Sequence, residues 1–487
     1  MDVIIIGAGP GGIAAGKRLR DAGIQSFVIL EQAPGIGGTW WHNIYPGCRC
    51  DVPSHLYSFS FAMKRDWTEP YASQPEIQQY LEACAETFDL MRHIRLDHRV
   101  VAARWLEARA RWQVETADGA LFCSDILISA VGMFNMPAYP PLPGLETFEG
   151  PVMHSARWRP EIPLAGRRIS VIGSAASAVQ LVPPIAEVAG HLDVYQRTPN
   201  YVSARQNSFA PGERERLMRD PEAARQERQR IWDWLEAVAP LDNPEIMADM
   251  RRACLANLQQ VADPTLRRQL TPAYPFGAKR GLVSSDWYPT FNRQNVSLIT
   301  TPIRHVGPHH ITTASGDVRE TDLIVLATGF ETTRFLSSIP VTGRDNLRLD
   351  QAWQGGAKAY LGIAVSGFPN LFMIYGPNTN NGSIIAQIES QVDYIVRKID
   401  FMIRNGLKWI EVRQSALAAY NRALQDAIST MAVWQHGISD YYRAPSGLIV
   451  TQWPFTMARY REETRREDAQ AFIASHTAAG SQATTCP

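Results

Sequence analysis

Two glycine-rich turns hold the residues whose types and spacing are best suited to chemistry. Each follows a short apolar run and precedes a segment with helical periodicity. A GxGxxG turn between a strand and a helix brings the backbone close to a pyrophosphate at the helix N-terminus. The first turn is Gly7-Ala8-Gly9-Pro10-Gly11-Gly12, and the second turn is Gly173-Ser174-Ala175-Ala176-Ser177-Ala178. The spacing therefore predicts two dinucleotide sites in one chain.

The residue that would meet the adenosine ribose differs between the two copies. Glu31 follows Gly7 at the same spacing at which Arg197 follows Gly173. A carboxylate accepts hydrogen bonds from a ribose and repels a 2′-phosphate, whereas a guanidinium binds that phosphate. The first copy is thus predicted to bind FAD and the second NADPH. Ala175 stands at the middle glycine position of the second turn, so its methyl group is expected to loosen nicotinamide cofactor binding.

Three further stretches carry chemically capable residues. Asp51 ends the pattern GGxWxxxxYPGxxxD, which begins at Gly37. Between the two turns lies FxGxxxHxxxW, whose fixed residues are Phe148, Gly150, His154 and Trp158. After the second turn the chain carries the adjacent basic pair Lys279 and Arg280. An arginine stays cationic and presents several donors to an oxyanion, although a surface role is the more common fate of such a pair.

Composition excludes several other classes of protein. The 487 residues are 45% hydrophobic and 20% charged, and 48 basic side chains balance 48 acidic ones. This balance indicates neither nucleic acid nor an anionic membrane as a partner. Cys48 and Cys50 are too close together for a zinc site, and no cysteine pair has the spacing of a disulfide reductase. We expect no metal and, because the start of the chain is typical of a strand, a cytoplasmic protein with reduced thiols.

The elements that would position these residues indicate an α/β fold with two Rossmann-like dinucleotide-binding domains and a helical insertion. Asp-Pro or Asn-Pro pairs at 220–221, 243–244 and 263–264 predict three insertion helices, expected to cover the site. A long helix is predicted between Ser383 and Gly406. The predicted division is 1–140 for the first part of an FAD-binding domain, 141–160 for a linker, 161–330 for an NADPH-binding domain with the insertion at 205–272, 331–475 for the second part of the FAD-binding domain, and 476–487 for a disordered tail.

The combined motifs resemble those of the type I Baeyer–Villiger monooxygenases, and the resemblance extends from the first strand to about residue 473. It implies catalytic roles for Arg280, beside the flavin, and for Asp51, which would orient Arg280. His154 and Trp158 would be hinge residues between the domains. The implied cofactor-binding residues are Gly7, Gly9, Pro10, Gly11, Gly12, Glu31, Gly38, Thr39, Trp40, Asp51, Val100, Gly173, Ser174, Ser177, Arg197, Thr198, Lys279 and Arg280.

The resemblance implies an NADPH-dependent enzyme that uses FAD and O2 to insert an oxygen atom next to a ketone carbonyl, giving an ester or lactone. The cofactor supplies the difficult chemistry, and the protein supplies geometry, electrostatics and exclusion of water. Two alternatives stay open at this point. An N- or S-oxygenating monooxygenase would use the same cofactors without carbon migration, and a non-catalytic redox sensor would bind FAD and NADPH without turnover. The expected assembly is a monomer or homodimer.

Overall fold

Each glycine-rich turn leads out of a five-stranded parallel sheet in the computed structural model, which describes residues 1–435 and 442–476. The strands are short and almost fully buried, which is typical of parallel sheets covered on both faces. In the first sheet the neighbours run, in spatial order, Leu371–Met373, Ile126–Ser129, Val3–Ile6, Phe27–Leu30 and Ile94–Arg95.

The second sheet repeats the arrangement of the first. Its strands, in spatial order, are Val296–Ile299, His191–Tyr195, Arg168–Ile172, Leu323–Leu326 and Val152–His154, all parallel to their neighbours. Residues 141–160, predicted as a linker, thus contribute an edge strand to this sheet, and His154 is the last residue of that strand. The two sheets are the two predicted Rossmann-like units.

The internal repeat extends beyond the two sheets. Each unit also carries an antiparallel meander before the strand that returns to its parallel sheet, and small two-stranded sheets complete the fold. The meander of the first unit contains Val100–Leu106, Arg111–Thr116 and Leu121–Ser124, and Val341–Thr342 pairs with its first strand. The meander of the second unit contains Ile303–Gly307, His310–Thr313 and Val318–Glu320. The two small sheets pair Val202–Ser203 with Leu282–Val283 and Leu407–Val412 with Phe472–His476.

Helices cover one face of each parallel sheet, and the antiparallel meander of the same unit packs against the other face. The first motif helix, Pro10–Asp21, and the second motif helix, Ala176–Val188, follow the two turns. Ile384–Arg404 is the predicted long helix; it begins after Ser383, and its buried stripe packs against the first motif helix. The other α-helices outside the insertion are Thr39–His42, Gln74–Thr87, Trp287–Thr290, Leu349–Ala352, Gln414–Ser429 and Met457–Arg465, and the 3₁₀ turns are Met91–His93, Leu145–Thr147, Ser155–Arg157, Phe335–Ser338, Arg344–Asn346, Ala432–Trp434 and Ala469–Ala471.

The insertion contains four helices rather than the three predicted: Glu213–Arg219, Pro221–Val238, Pro244–Leu258 and Pro264–Gln269. The three predicted caps form, since Asp220, Asn243 and Asp263 each accept a hydrogen bond from a backbone N–H two residues on. The short first helix was missed because Gly212 starts it without a side-chain cap.

The expectation that the insertion covers the site is wrong, because no described residue of 205–272 lines the main cavity. The insertion instead packs against both units, and the amide of Asn257 donates to the carbonyl oxygens of Val202 and Ser284 in the second unit, both at 3.1 Å. The guanidinium of Arg228 donates to the carbonyl oxygens of His55 and Ser58, both at 2.9 Å. Glu236 accepts from the N–H of Met457 at the start of a helix, at 2.8 Å. The insertion therefore supports the loop that follows Asp51.

Several further observations concern the whole described chain. No helix within residues 1–435 and 442–476 is long and apolar enough to cross a membrane. The same residues contain no group of three or more metal-ligating side chains. Four cysteine thiols are free and buried, at Cys48, Cys50, Cys84 and Cys254, but Cys123 is disulfide-bonded, so the prediction of reduced thiols is wrong for Cys123. Of the predicted tail, His476 ends the last strand, and residues 477–487 lie outside the described residues.

Candidate active site

A cavity of about 1280 Å³ lies between the two units, and both glycine-rich turns line it. This volume exceeds the roughly 300–1,000 Å³ of a typical small-molecule pocket, so it has room for more than one ligand. Every residue predicted to bind a cofactor lines this cavity except Gly12. The two predicted hinge residues, His154 and Trp158, lie outside its wall.

Gly12 serves the first turn by close packing rather than by contact with the cavity. A Cβ atom at this position would lie 1.9 Å from the carbonyl oxygen of Gly7, so no other residue fits without a shift of the backbone. The first motif helix then begins without a side-chain cap at Gly9. Its uncapped N–H groups give this end of the cavity a positive potential, which suits a pyrophosphate.

Glu31 lies at the end of strand Phe27–Leu30, where its side chain is 5% exposed. One carboxylate oxygen accepts a hydrogen bond from the N–H of Ala8 at 2.7 Å, and the other accepts one from Ala33 at 2.9 Å. Burial raises the pKa of Glu31, and these backbone donors oppose the shift. Each oxygen keeps a lone pair that can accept from a ribose hydroxyl. This geometry fits the adenosine half of FAD.

The second turn has the same backbone course as the first, although Ala175 replaces a glycine. Ala175 has φ −94° and ψ −157°, and Gly9 at the equivalent position has φ −77° and ψ −169°. An alanine adopts this extended conformation without strain. The exposed methyl group therefore occupies space in the cavity without distorting the turn.

Two cations line the cavity together with the second glycine-rich turn. Arg197 lies after strand His191–Tyr195, is exposed and lines the cavity, and no ion pair involves it within the described part of the chain. Lys279 also lines the cavity, with its ammonium 5.5 Å from the centre of the Tyr274 ring. An exposed guanidinium and a nearby ammonium suit the 2′-phosphate of NADPH.

Asp51 and Arg280 meet across the boundary between the two units. The Arg280 Nε and one terminal nitrogen lie 2.9 Å and 2.8 Å from the same Asp51 Oδ2. The Arg280 side chain is 37% exposed and the Asp51 side chain is 28% exposed, and both line the cavity. The buried neighbour Cys50 fixes the loop, since its sulfur accepts from the N–H of Val52 at 3.4 Å. The pair can place a fixed positive charge beside a bound reactant.

His154 packs against the two chain segments that join the units. Residues 136–139 and 328–331 run antiparallel, with the N–H of Ala138 donating to Gly329 at 2.8 Å. The His154 ring lies 5.4 Å from that of Tyr139 and 5.9 Å from that of Phe330, one on each segment. Burial lowers the pKa of His154 to about 4, so the ring is neutral near pH 7. Trp158 is partly buried and packs against the main hydrophobic core.

The hydrogen bonds of one side chain connect the two units and are not predicted by the sequence. Gln180, in the second motif helix, makes hydrogen bonds to Tyr45 and Arg49 in the loop that carries Asp51. A signal was present in the sequence, because Pro183 and Pro184 interrupt an otherwise helical pattern just after Gln180. Nothing in that pattern shows which loop the interrupted helix meets.

Comparison with known proteins shows the family. The sequence profile of the family described as Pyridine nucleotide-disulphide oxidoreductase matches residues 4–222. A Baeyer-Villiger monooxygenase of Streptomyces coelicolor is 39% identical over 96% of this chain and 91% of that protein. The chain belongs to the Baeyer–Villiger monooxygenase family. A second Baeyer-Villiger monooxygenase, from Pseudomonas aeruginosa, is 38% identical over 96% of this chain and 90% of that protein.

Solved structures agree with this membership. The crystal structure of cyclohexanone monooxygenase from Rhodococcus sp. Phi1, bound to NADP+, has a TM-score of 0.86 and 29% identity over 98% of this chain and 99% of that chain. An oxidized steroid monooxygenase bound to NADP has the same TM-score, identity and coverage. The predicted fold class, the enzyme class and the cofactor pair of FAD and NADPH are thus confirmed, and the redox-sensor alternative is set aside.

Proposed function

We propose that Arg280 and Asp51 form the reaction centre at which this chain inserts one oxygen atom of O2 next to a ketone carbonyl. The observation that carries this proposal is the Asp51–Arg280 pair, which joins the two units at the wall of one cavity lined by both glycine-rich turns. The products are an ester or a lactone. N- or S-oxygenation would need no stabilised oxyanion on the substrate, so a fixed cation at this point favours the ketone reaction.

The cofactors are assigned to the two halves of the cavity. The first turn, Glu31 and the uncapped first motif helix would hold FAD, and the second turn, Arg197 and Lys279 would hold NADPH. When bound, the flavin accepts a hydride from NADPH and activates O2 for transfer to the substrate. The residues of the chain supply charge, orientation and exclusion of water around that chemistry.

Arg280 would stabilise the negative charge that develops on the carbonyl oxygen of the ketone. Its guanidinium keeps its charge at any working pH and presents several N–H donors. Asp51 would orient it, because two nitrogens of Arg280 contact a single carboxylate oxygen. The Arg280 side chain lines the cavity, so its charge acts on a ligand bound there. Removal of water would strengthen this electrostatic interaction.

The assembly and location of the enzyme are part of the same proposal. The enzyme is proposed to be a monomer or homodimer in the cytoplasm. Four buried free thiols support this location because disulfides are rare in that compartment, whereas the disulfide-bonded Cys123 does not. Analytical ultracentrifugation of the purified holoenzyme gives the number of chains. A larger oligomer would contradict this part of the proposal without affecting the reaction.

The proposed reaction is tested with purified, FAD-loaded protein, NADPH and a panel of cyclic, aromatic and long-chain ketones. We expect at least one ketone to accelerate NADPH oxidation and to yield an ester or lactone in amounts close to the NADPH consumed. A matched panel of amines and sulfides tests the heteroatom alternative. Oxygenated amines or sulfides, without ester from any ketone, would overturn the proposal.

A further inference from the structure

The loop that carries Asp51 is held against the second motif helix by one side chain. The amide oxygen of Gln180 accepts from the Tyr45 hydroxyl at 3.0 Å and from the N–H of Arg49 at 3.3 Å. Its amide nitrogen donates to the carbonyl oxygen of Arg49 at 3.0 Å. Gln180 therefore pairs with both backbone groups of Arg49, as a neighbouring strand would, and bonds Tyr45 as well.

The backbone of the same helix is opened at the same residue. Pro184 has no N–H, so the helix lacks the donor that would normally bond to the carbonyl oxygen of Gln180. The loop passes directly over this carbonyl group. A Cβ atom at Gly47 would lie 2.4 Å from the Gln180 oxygen, and Gly47 has φ +79°. Only glycine fits there, so the loop and the helix meet backbone to backbone.

These contacts connect the two halves of the cavity by a short route. The second motif helix begins at the turn assigned to NADPH, and Gln180 lies on its second turn. Asp51 follows Arg49 by two residues and holds Arg280. We infer that Gln180 is a positioning residue, which transmits the position of the NADPH-binding helix to Asp51 and so to the guanidinium of Arg280. The expected effect of Gln180 on oxygen insertion rests on the proposed function, whereas the hydrogen bonds of Gln180 do not.

A purely structural role for Gln180 makes different predictions from a positioning role. A contact that only stabilises the fold lowers the free energy of unfolding and leaves the reaction of the remaining folded enzyme unchanged. A positioning contact changes how well NADPH oxidation is coupled to product formation. It does so with little change in NADPH affinity, because the 2′-phosphate of NADPH is assigned to Arg197 and Lys279. It is not assigned to the Gln180 clamp, by which we mean the hydrogen bonds of Gln180 to Tyr45 and Arg49. The experiment is designed around this separation.

The first measurement is hydrogen–deuterium exchange of the FAD-loaded protein without NADPH. In Gln180→Ala we expect the amide of Arg49 to exchange about tenfold faster than in the unmodified protein, because it loses its acceptor. Gln229→Ala, on the exposed face of an insertion helix, is the control and should leave this amide unchanged. Unchanged exchange at Arg49 in Gln180→Ala would overturn the clamp whether or not the enzyme oxygenates ketones.

The second measurement separates binding from chemistry. Gln180→Ala is expected to form about tenfold less ester per NADPH, with the balance released as hydrogen peroxide, while the Kd for NADPH changes less than about threefold. Gln180→Glu keeps the size of the side chain and the acceptor for Tyr45 but cannot donate to Arg49, so we expect an intermediate value. If the alanine variant fails to fold, the Gln180→Glu variant provides the same test.

A double-mutant cycle completes the test. Tyr45→Phe and Gln180→Ala remove the same hydrogen bond, so their effects on the yield of ester per NADPH should be less than additive. Additive effects, or a loss of stability with an unchanged yield in every folded variant, would show that Gln180 is only structural. If no ketone is oxygenated by the unmodified enzyme, the proposed function fails, and the exchange of Arg49 still decides the clamp.

Discussion

Replacement of Arg280 by alanine removes the positive charge that we propose to lie beside the reacting carbonyl. Removing one donor aimed at a developing oxyanion typically costs about 2.7–4 kcal/mol. The Arg280 side chain is 37% exposed, so solvent screens part of its charge and we take the lower end of this range. Ester formation should then fall about 100-fold. Reduction of the flavin by NADPH should fall less than about tenfold, because the residues assigned to NADPH remain.

The assay follows both half-reactions of this variant. Anaerobic stopped-flow spectroscopy gives the rate of flavin reduction, and product analysis in air gives ester against hydrogen peroxide. Arg280→Lys is the matched control: it keeps a charge but loses the two-nitrogen contact with Asp51, and an intermediate yield is expected. An alanine variant that forms ester at a near-normal rate would refute the role given to Arg280.

Three further predictions concern the second turn and the hinge. Arg197→Ala should raise the KM for NADPH by about ten- to a hundredfold, because a charge-assisted phosphate contact contributes about 1.5–3 kcal/mol. The KM for NADH should stay nearly unchanged. Steady-state kinetics measures both values, and an equal rise in the two would contradict the assignment of Arg197 to the 2′-phosphate. Ala175→Gly should tighten NADPH binding in a fluorescence titration, since it removes a methyl group from the cavity; unchanged or weaker binding would show that the turn already accommodates it. Burial holds the pKa of His154 at about 4 against 6.5 in the unfolded chain, so protons bind the unfolded chain first and stability falls as the pH drops from about 6.5 to 4. His154→Gln should remove roughly 2 kcal/mol of the stability difference between pH 7 and pH 5 in urea unfolding, and an equal difference in both proteins would exclude this role.

The fold was largely accessible from the sequence because its signals are local. Each glycine-rich turn lies between an apolar run and a periodic segment, and the repeat of that unit predicts two parallel sheets. The caps at Asp220, Asn243 and Asp263 set the starts of three insertion helices. The helix after Gly212 has no such cap, and its place against the first unit depends on the long-range hydrogen bonds from Arg214 to the carbonyl oxygens of Asp66 and Trp67. Local patterns carry no information about those contacts.

Site residues could be predicted from the sequence where a residue type has a single chemical use. Glu31 and Arg197 differ in charge at equivalent positions, and this difference alone assigns the two cofactors. The pairing of Asp51 with Arg280 could be expected only from the family resemblance, because the two residues are far apart in the sequence. The contacts of Gln180 were not predicted, since an amide can bond to almost any polar group and its partners are fixed only by the packing of the two units.

Oxygen insertion next to a ketone is tested most directly by the fate of molecular oxygen in the unmodified enzyme. The FAD-loaded protein is supplied with NADPH, an accepted ketone and ¹⁸O2, and the product is analysed by mass spectrometry. We expect one labelled oxygen in each ester or lactone, at the position between the carbonyl carbon and the carbon that migrated. An unlabelled product, or oxidation of NADPH that yields only hydrogen peroxide with every ketone, would contradict this expectation.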